Sequence, residues 1–109
     1  MINIKGILAG VILLWTLNPV VATYKIVGRY PVAGVGGFDY VTLDETARRL
    51  YVSHATQVDV LDADTGKLIG AIADTPGVHG VAIASAFKHG FTSNGREGKV
   101  SMFDPATLN

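Results

Sequence analysis

Residues 49–67 read Arg-Leu-Tyr-Val-Ser-His-Ala-Thr-Gln-Val-Asp-Val-Leu-Asp-Ala-Asp-Thr-Gly-Lys, and this stretch decides the fold. Two short runs rich in β-branched and aromatic residues, 49–53 and 57–61, are typical of β-strands. Asp62 is placed to accept backbone N–H groups, and Gly66 can adopt the left-handed conformation that closes a tight turn. The stretch therefore predicts two strands and a hairpin that leads into a further strand at 68–72.

Short apolar runs of the same kind occupy the chain on both sides of this stretch. They are separated every several residues by Gly, Asp, Asn or Pro, and no segment after residue 24 sustains a 3.6-residue period. Further strands are expected at 24–32 and 39–43, the first with Tyr24 and Ile26 on one face. The fold class predicted is all-β.

The sequence also resembles itself at a distance of about 40 residues. Shifting it by 40 aligns the first half of each unit, and a shift of 42 aligns the second half, so the second copy carries two extra residues in the loop 94–98. A period of about 40 with four short strands per unit is what a β-propeller blade requires. Gly90 stands where Leu50 packs, which predicts a looser second unit. The aligned pairs are Asp39 with His79, Val41 with Val81, Leu43 with Ile83, Tyr51 with Phe91, Ser53 with Ser93, Val58 with Val100, Val60 with Met102, Asp62 with Asp104 and Thr65 with Thr107.

The unit resembles the YVTN-type β-propeller repeat of exported YncE-like proteins. The name-giving tetrad stands here as Tyr51-Val52-Ser53-His54 and, more weakly, as Phe91-Thr92-Ser93-Asn94, and the first tetrad is followed by the turn 62–67. The resemblance implies four-stranded antiparallel blades. Within a partial propeller over 23–109 it predicts a first strand at 24–32, a blade at 38–72 and an incomplete blade at 78–109.

Such a ring closes with about 4–8 blades, so two blades cannot close it. The chain is therefore predicted to be an N-terminal fragment of a longer propeller. The alternative is a small protein that assembles several copies, and open strand edges would allow self-association.

The first 22 residues have the layout of a secretory signal peptide. Lys5 precedes an apolar run from Gly6 to Leu17, and Val20 and Ala22 provide small residues before a cut at Ala22–Thr23. The mature chain is then expected in the periplasm or outside the cell. An uncleaved membrane anchor is the alternative, because residues 6–24 carry no charge.

Composition excludes several classes of protein. The chain has 109 residues, which is room for one small domain at most. The absence of Cys excludes disulfide scaffolds, thiol catalysis and covalently attached c-type haem. Nine basic residues balance nine acidic ones, so charge gives no support for nucleic acid as a partner.

Four polar residues are candidates for ligand binding. In blades of this type, the loop before the innermost strand and the loop between the second and third strands open on one face, which places Asp39, His54, His79 and Asn94 near the channel mouth. The competing interpretation is that these side chains hydrogen-bond their own loops. The glycine-rich stretch 34–37 lacks the context of a phosphate-binding loop and is expected to be a flexible turn. No metal site, cofactor or catalytic residue is predicted.

Two functions remain open at this level. The first is an exported binding or scaffold module for a small molecule or protein partner at the propeller face. The second is a truncated component of a periplasmic redox enzyme with a non-covalently bound haem or quinone. Whether the protein is an enzyme stays undecided, with the binding module preferred.

Overall fold

The computed structural model describes residues 21–109. The predicted signal peptide at 1–22 lies outside these residues except for its last two. The described chain is all-β, as predicted, with two antiparallel sheets and one short 3-10 helix at Ser85–Phe87. No helix in residues 21–109 is long and apolar enough to cross a membrane. The first sheet has the strand order β1 (Phe38–Asp44), β2 (Arg49–His54), β3 (Gln57–Asp62) and β4 (Leu68–Ile72), and the second has β5 (Val78–Ala84), β6 (His89–Asn94) and β7 (Lys99–Phe103).

The two sheets share a register irregularity at the same place. The pairing of β1 with β2 shifts between Phe38 and Val41, and that of β5 with β6 shifts between Val78 and Val81, which is 40 residues later. The turn from β2 to β3 contains two residues and that from β6 to β7 contains four. The two extra residues thus lie where the sequence comparison placed them.

The hairpin turn predicted at 62–67 is confirmed. Asp62 Oδ1 accepts hydrogen bonds from the backbone N–H of Asp64 and Thr65, at 3.0 and 2.8 Å, and from Thr65 Oγ1 at 2.8 Å. Gly66 has a φ of 72°, the left-handed conformation that the turn needs. The Asp62 side chain therefore organises the turn through hydrogen bonds within the turn itself.

The strand predicted at 24–32 is absent, which corrects the sequence interpretation. Residues 24–32 pair with neither sheet among the described residues. Instead the Tyr30 hydroxyl donates to the carbonyl oxygens of Ala63 and Asp64, at 3.1 and 3.2 Å, and Pro31 to Ala33 border a cavity beside Leu61. Alternating apolar residues show only that a segment can pair, because a strand also needs a free partner edge in register.

The core lies between the two sheets. Tyr51, Val58 and Val60 are fully buried on the inner face of the first sheet. The Tyr51 ring meets the ring of Phe103 from the second sheet, with centroids 6.0 Å apart. Thr42 Oγ1 donates across the same interface to the Val81 carbonyl at 3.0 Å. Each sheet thus covers one apolar face of the other.

Gly90 does not leave the gap that the sequence suggested. Gly90 lies opposite Phe103 in the sheet, in the place where the first sheet pairs Leu50 with Leu61. The Phe103 ring lies directly over Gly90, so close that a Cβ there would overlap the ring. The large residue fills the space that the small one leaves, and Phe103 is buried.

Replacing Gly90 by Leu is expected to destabilise the fold by about 2 kcal/mol, because overpacking forces the Phe103 ring out of its place. The double variant Gly90→Leu/Phe103→Leu recreates the pair of the first sheet and should recover part of the loss. Urea unfolding of the wild type, both single variants and the double variant measures the coupling. Strict additivity of the two changes would contradict this packing.

Acid should weaken the Asp62 turn. Hydrogen bonds from the Thr65 side chain, and then from its backbone N–H, hold the pKa of Asp62 below its usual range. A lowered folded-state pKa contributes stability above the unfolded value of about 4, and this is lost as the pH falls through the folded value. The Asp62→Ala variant should therefore be less stable than the wild type at pH 7, with a difference that shrinks in acid. Urea midpoints at pH 7, 5, 4 and 3 test this, and a constant difference contradicts it.

Candidate functional site

Backbone hydrogen bonds gather four loops at one end of the two sheets. The N–H of Ala55 donates to Gly37 O, that of Gly77 to Ala55 O, and that of Gly95 to Gly77 O, at 2.9, 2.8 and 2.9 Å. The chain of bonds alternates between the segments before β1 and β5 and the turns after β2 and β6. It therefore fixes the four loops side by side, and this end carries all four candidate residues.

Asp39 and His79, the first two candidates, meet at this end. Asp39 lies near the start of β1 and His79 near the start of β5, and His79 Nδ1 is 2.6 Å from Asp39 Oδ2. The His79 side chain is 60% exposed and that of Asp39 is 40% exposed. Asp39 and His79 lie 40 residues apart in the sequence and are in direct contact in the structure, because β1 and β5 are neighbouring strands of the two sheets.

The hydrogen-bonding roles in this pair follow from its chemistry. A carboxylate only accepts, so Nδ1 of His79 is the donor, and a neutral ring then presents Nε2 as an acceptor. The Gly95 backbone lies so close to Nε2 that a Cβ there would overlap the ring. The exposed Tyr40 ring lies beside Gly80 on the neighbouring strand. With the ring neutral, Asp39 Oδ1 and His79 Nε2 are both acceptors at this surface.

His54, the third candidate, is buried and bonded through both ring nitrogens. Its Nδ1 lies 2.9 Å from Asp59 Oδ2, and its Nε2 lies 3.1 Å from the Val35 carbonyl oxygen. Asp59 Oδ1 in turn accepts from Gln57 Nε2 at 2.6 Å, and the Phe38 ring stacks on the imidazole with centroids 4.2 Å apart. Both partners are acceptor oxygens, one of a carboxylate and one of a carbonyl, so each ring nitrogen donates. The imidazole fastens the segment before β1 to the first sheet.

Asn94, the fourth candidate, has the equivalent place in the second sheet. It is buried; its Oδ1 accepts from Thr92 Oγ1 at 2.9 Å, and its Nδ2 donates to Ser101 Oγ at 2.7 Å. Ser101 stands 42 residues after Asp59, so both sheets link the end of their second strand to the third strand through polar side chains. The structure brings Asp39 and His79 together at the surface, and it places His54 and Asn94 in hydrogen bonds within the protein.

The glycine-rich stretch 34–37 also takes part in this network. Strand β1, and not a helix, follows it directly, in line with its interpretation as a turn. Gly34 lies against the His54 ring, where a Cβ would overlap it, and Val35 supplies the carbonyl that the ring bonds. The stretch therefore packs closely against the His54 side chain and hydrogen-bonds to it.

Two residues of this end, Asp59 and Tyr40, were not predicted from the sequence. Asp59 shares a strand face with Leu61, and both are buried. An acidic residue on an otherwise apolar strand face needs a buried partner, and this signal could have paired it with His54. Tyr40 gave no such signal, because its exposure depends on how the second sheet docks.

No set of three His, Asp or Glu side chains suited to a metal ion occurs between residues 21 and 109. Comparison of the chain with protein-family models, with curated proteins and with solved structures found no match.

The two Asp–His pairs should differ strongly in their contribution to stability. Asp59→Ala leaves a ring nitrogen of His54 buried without a partner and is expected to cost about 1–3 kcal/mol. The matched change Asp39→Ala removes an exposed pair and should cost less than about 1 kcal/mol. Urea unfolding of both variants measures the difference. Equal losses would show that the buried pair is not the stronger one.

Proposed function

We propose that this chain is a binding module built from propeller-type blades, exported from the cell, which takes its ligand or protein partner at the loop end that carries Asp39 and His79. One observation carries the proposal: a carboxylate and an imidazole from the two sheets meet at the surface, 2.6 Å apart, and the exposed Tyr40 follows Asp39 in the same strand. Polar groups that converge from separate elements are typical of binding sites.

The blade interpretation is supported by the likeness of the two sheets. Both have consecutive antiparallel strands with the same register shift in the first pair, and both tie the second strand to the third through a buried polar side chain. The first sheet covers residues 38–72, the range of the predicted blade, and the second begins at Val78. A repeated unit explains these coincidences more simply than two unrelated sheets do.

The chemistry of the pair suggests the class of ligand group. Asp39 Oδ1 and His79 Nε2 both accept, so they suit groups that donate, such as an ammonium, a guanidinium or a sugar hydroxyl. The Tyr40 ring can pack against the apolar part of such a ligand or against a cation. The net charge of zero adds no attraction for nucleic acid.

Ring signals of the histidines test this function by NMR. The N-acetyl amides of lysine and arginine serve as probes for single donor groups, and the N-acetyl amide of glutamate serves as the acidic control. Titration with the basic probes should move the ring signals of His79 and leave those of buried His54 in place. Asp39→Asn removes the negative charge that attracts the probes and should reduce the shift several-fold.

A second variant tests access to the site. Gly95→Ala places a methyl group against Nε2 of His79 and should weaken the response to every basic probe. Gly37→Ala lies at the same end of the sheets, with open space around it and no left-handed backbone, and is the matched control for a glycine substitution. The proposal fails if His79 responds equally to the acidic probe, or if neither Asp39→Asn nor Gly95→Ala changes its response.

A further inference from the structure

The second sheet carries an apolar face that nothing in the described chain covers. Val100 and Met102 on β7 are 69% and 61% exposed. Ala82 on β5 is exposed beside them, and Phe91 on β6 is half-buried. Exposed apolar residues gathered on one sheet face, unlike scattered ones, indicate a contact surface.

The first sheet shows what such a face packs against. The residues 40 or 42 positions earlier are Thr42, Tyr51, Val58 and Val60, and they form the inner face onto which the second sheet docks. The uncovered face of the second sheet is therefore the equivalent, strand by strand, of the inner face of the first sheet, which the second sheet covers. Its matching partner is a sheet surface like that of β5, with Val81 and Ile83 directed towards it.

A surface of that kind is exposed on the same chain. Val41 and Leu43 on β1 stand 40 residues before Val81 and Ile83, and both are exposed on the outer face of the first sheet. Residues 31–33 lie beside Leu61 and Leu68, on the β3–β4 side of that face, and leave β1 open. One molecule thus carries both halves of an interface that it already forms once internally.

We propose that a second copy of this chain docks on the uncovered face of the second sheet through the β1 side of its own first sheet. The contact is head-to-tail, because two different surfaces meet. Each assembly therefore keeps one uncovered face at each of its ends, and further copies add until a ring closes. This self-association is separate from the proposed binding role and does not depend on what Asp39 and His79 bind. By analogy with Thr42 and Val81, Ala82 of one copy lies next to Val41 of the next.

The absence of Cys from the 109 residues of the chain allows a selective cross-linking test. One variant carries Ala82→Cys and another carries Val41→Cys, and the two are mixed and oxidised with copper–phenanthroline. Only a mixed pair places both thiols in one head-to-tail contact. The mixture should give several-fold more disulfide-linked dimer than either variant alone.

Two controls keep the proposal open to refutation. Phe87→Cys is exposed on the turn after β5 and reports random collision when mixed with either variant. Adding Met102→Lys to the Ala82→Cys chain places a charge on the docking face, and the mixed dimer should fall to the Phe87→Cys level while circular dichroism shows an intact β fold. Equal yields in mixed and single-variant samples, or no response to Met102→Lys, overturn the proposal.

Discussion

The packing of the two sheets face to face is the constraint on which the rest of the structure depends. A sheet of three or four short strands cannot bury an apolar face by itself, and Tyr51, Val58 and Val60 leave water only because Phe103 and β5 cover them. The contact also sets the position of β5 beside β1, marked by the hydrogen bond from Thr42 to Val81. The meeting of Asp39 with His79 follows from that placement, so the candidate site is a product of sheet packing.

At the loop end, buried polar side chains hold the strands together by hydrogen bonds. The buried links from His54 to Asp59 and from Asn94 to Ser101 tie the second strand of each sheet to its third strand. His54 also fixes the segment before β1 through the Val35 carbonyl. Because buried polar groups without partners are costly, these links favour one arrangement of the loops. The pair of Asp39 and His79 also joins the two sheets, and both of its side chains are exposed.

Some apolar sheet faces of the described chain are covered and others are exposed to solvent. A sheet that is apolar on both faces needs a neighbour on each side. In this chain the first sheet has its inner face covered and its outer face partly covered by residues 31–33, while the outer face of the second sheet is exposed at Val100 and Met102. The proposed binding at the loop end and the proposed association through the faces therefore use separate surfaces of the same architecture.

The sequence by itself determined the strands from β1 to β4 and the turn at Asp62, because these depend on local patterns and on turn chemistry. Its self-similarity at about 40 residues indicated a second unit after residue 78 and the position of the two extra residues. Pattern alone failed at 24–32, where an alternating segment finds no partner edge, and at Gly90, where the space is filled from the opposite strand by Phe103. Four residues at one end could be named from their places in the repeated unit. Only the tertiary structure decided that His54 and Asn94 lie inside hydrogen-bond networks while Asp39 and His79 meet at the surface, because burial and partners depend on how the two sheets pack.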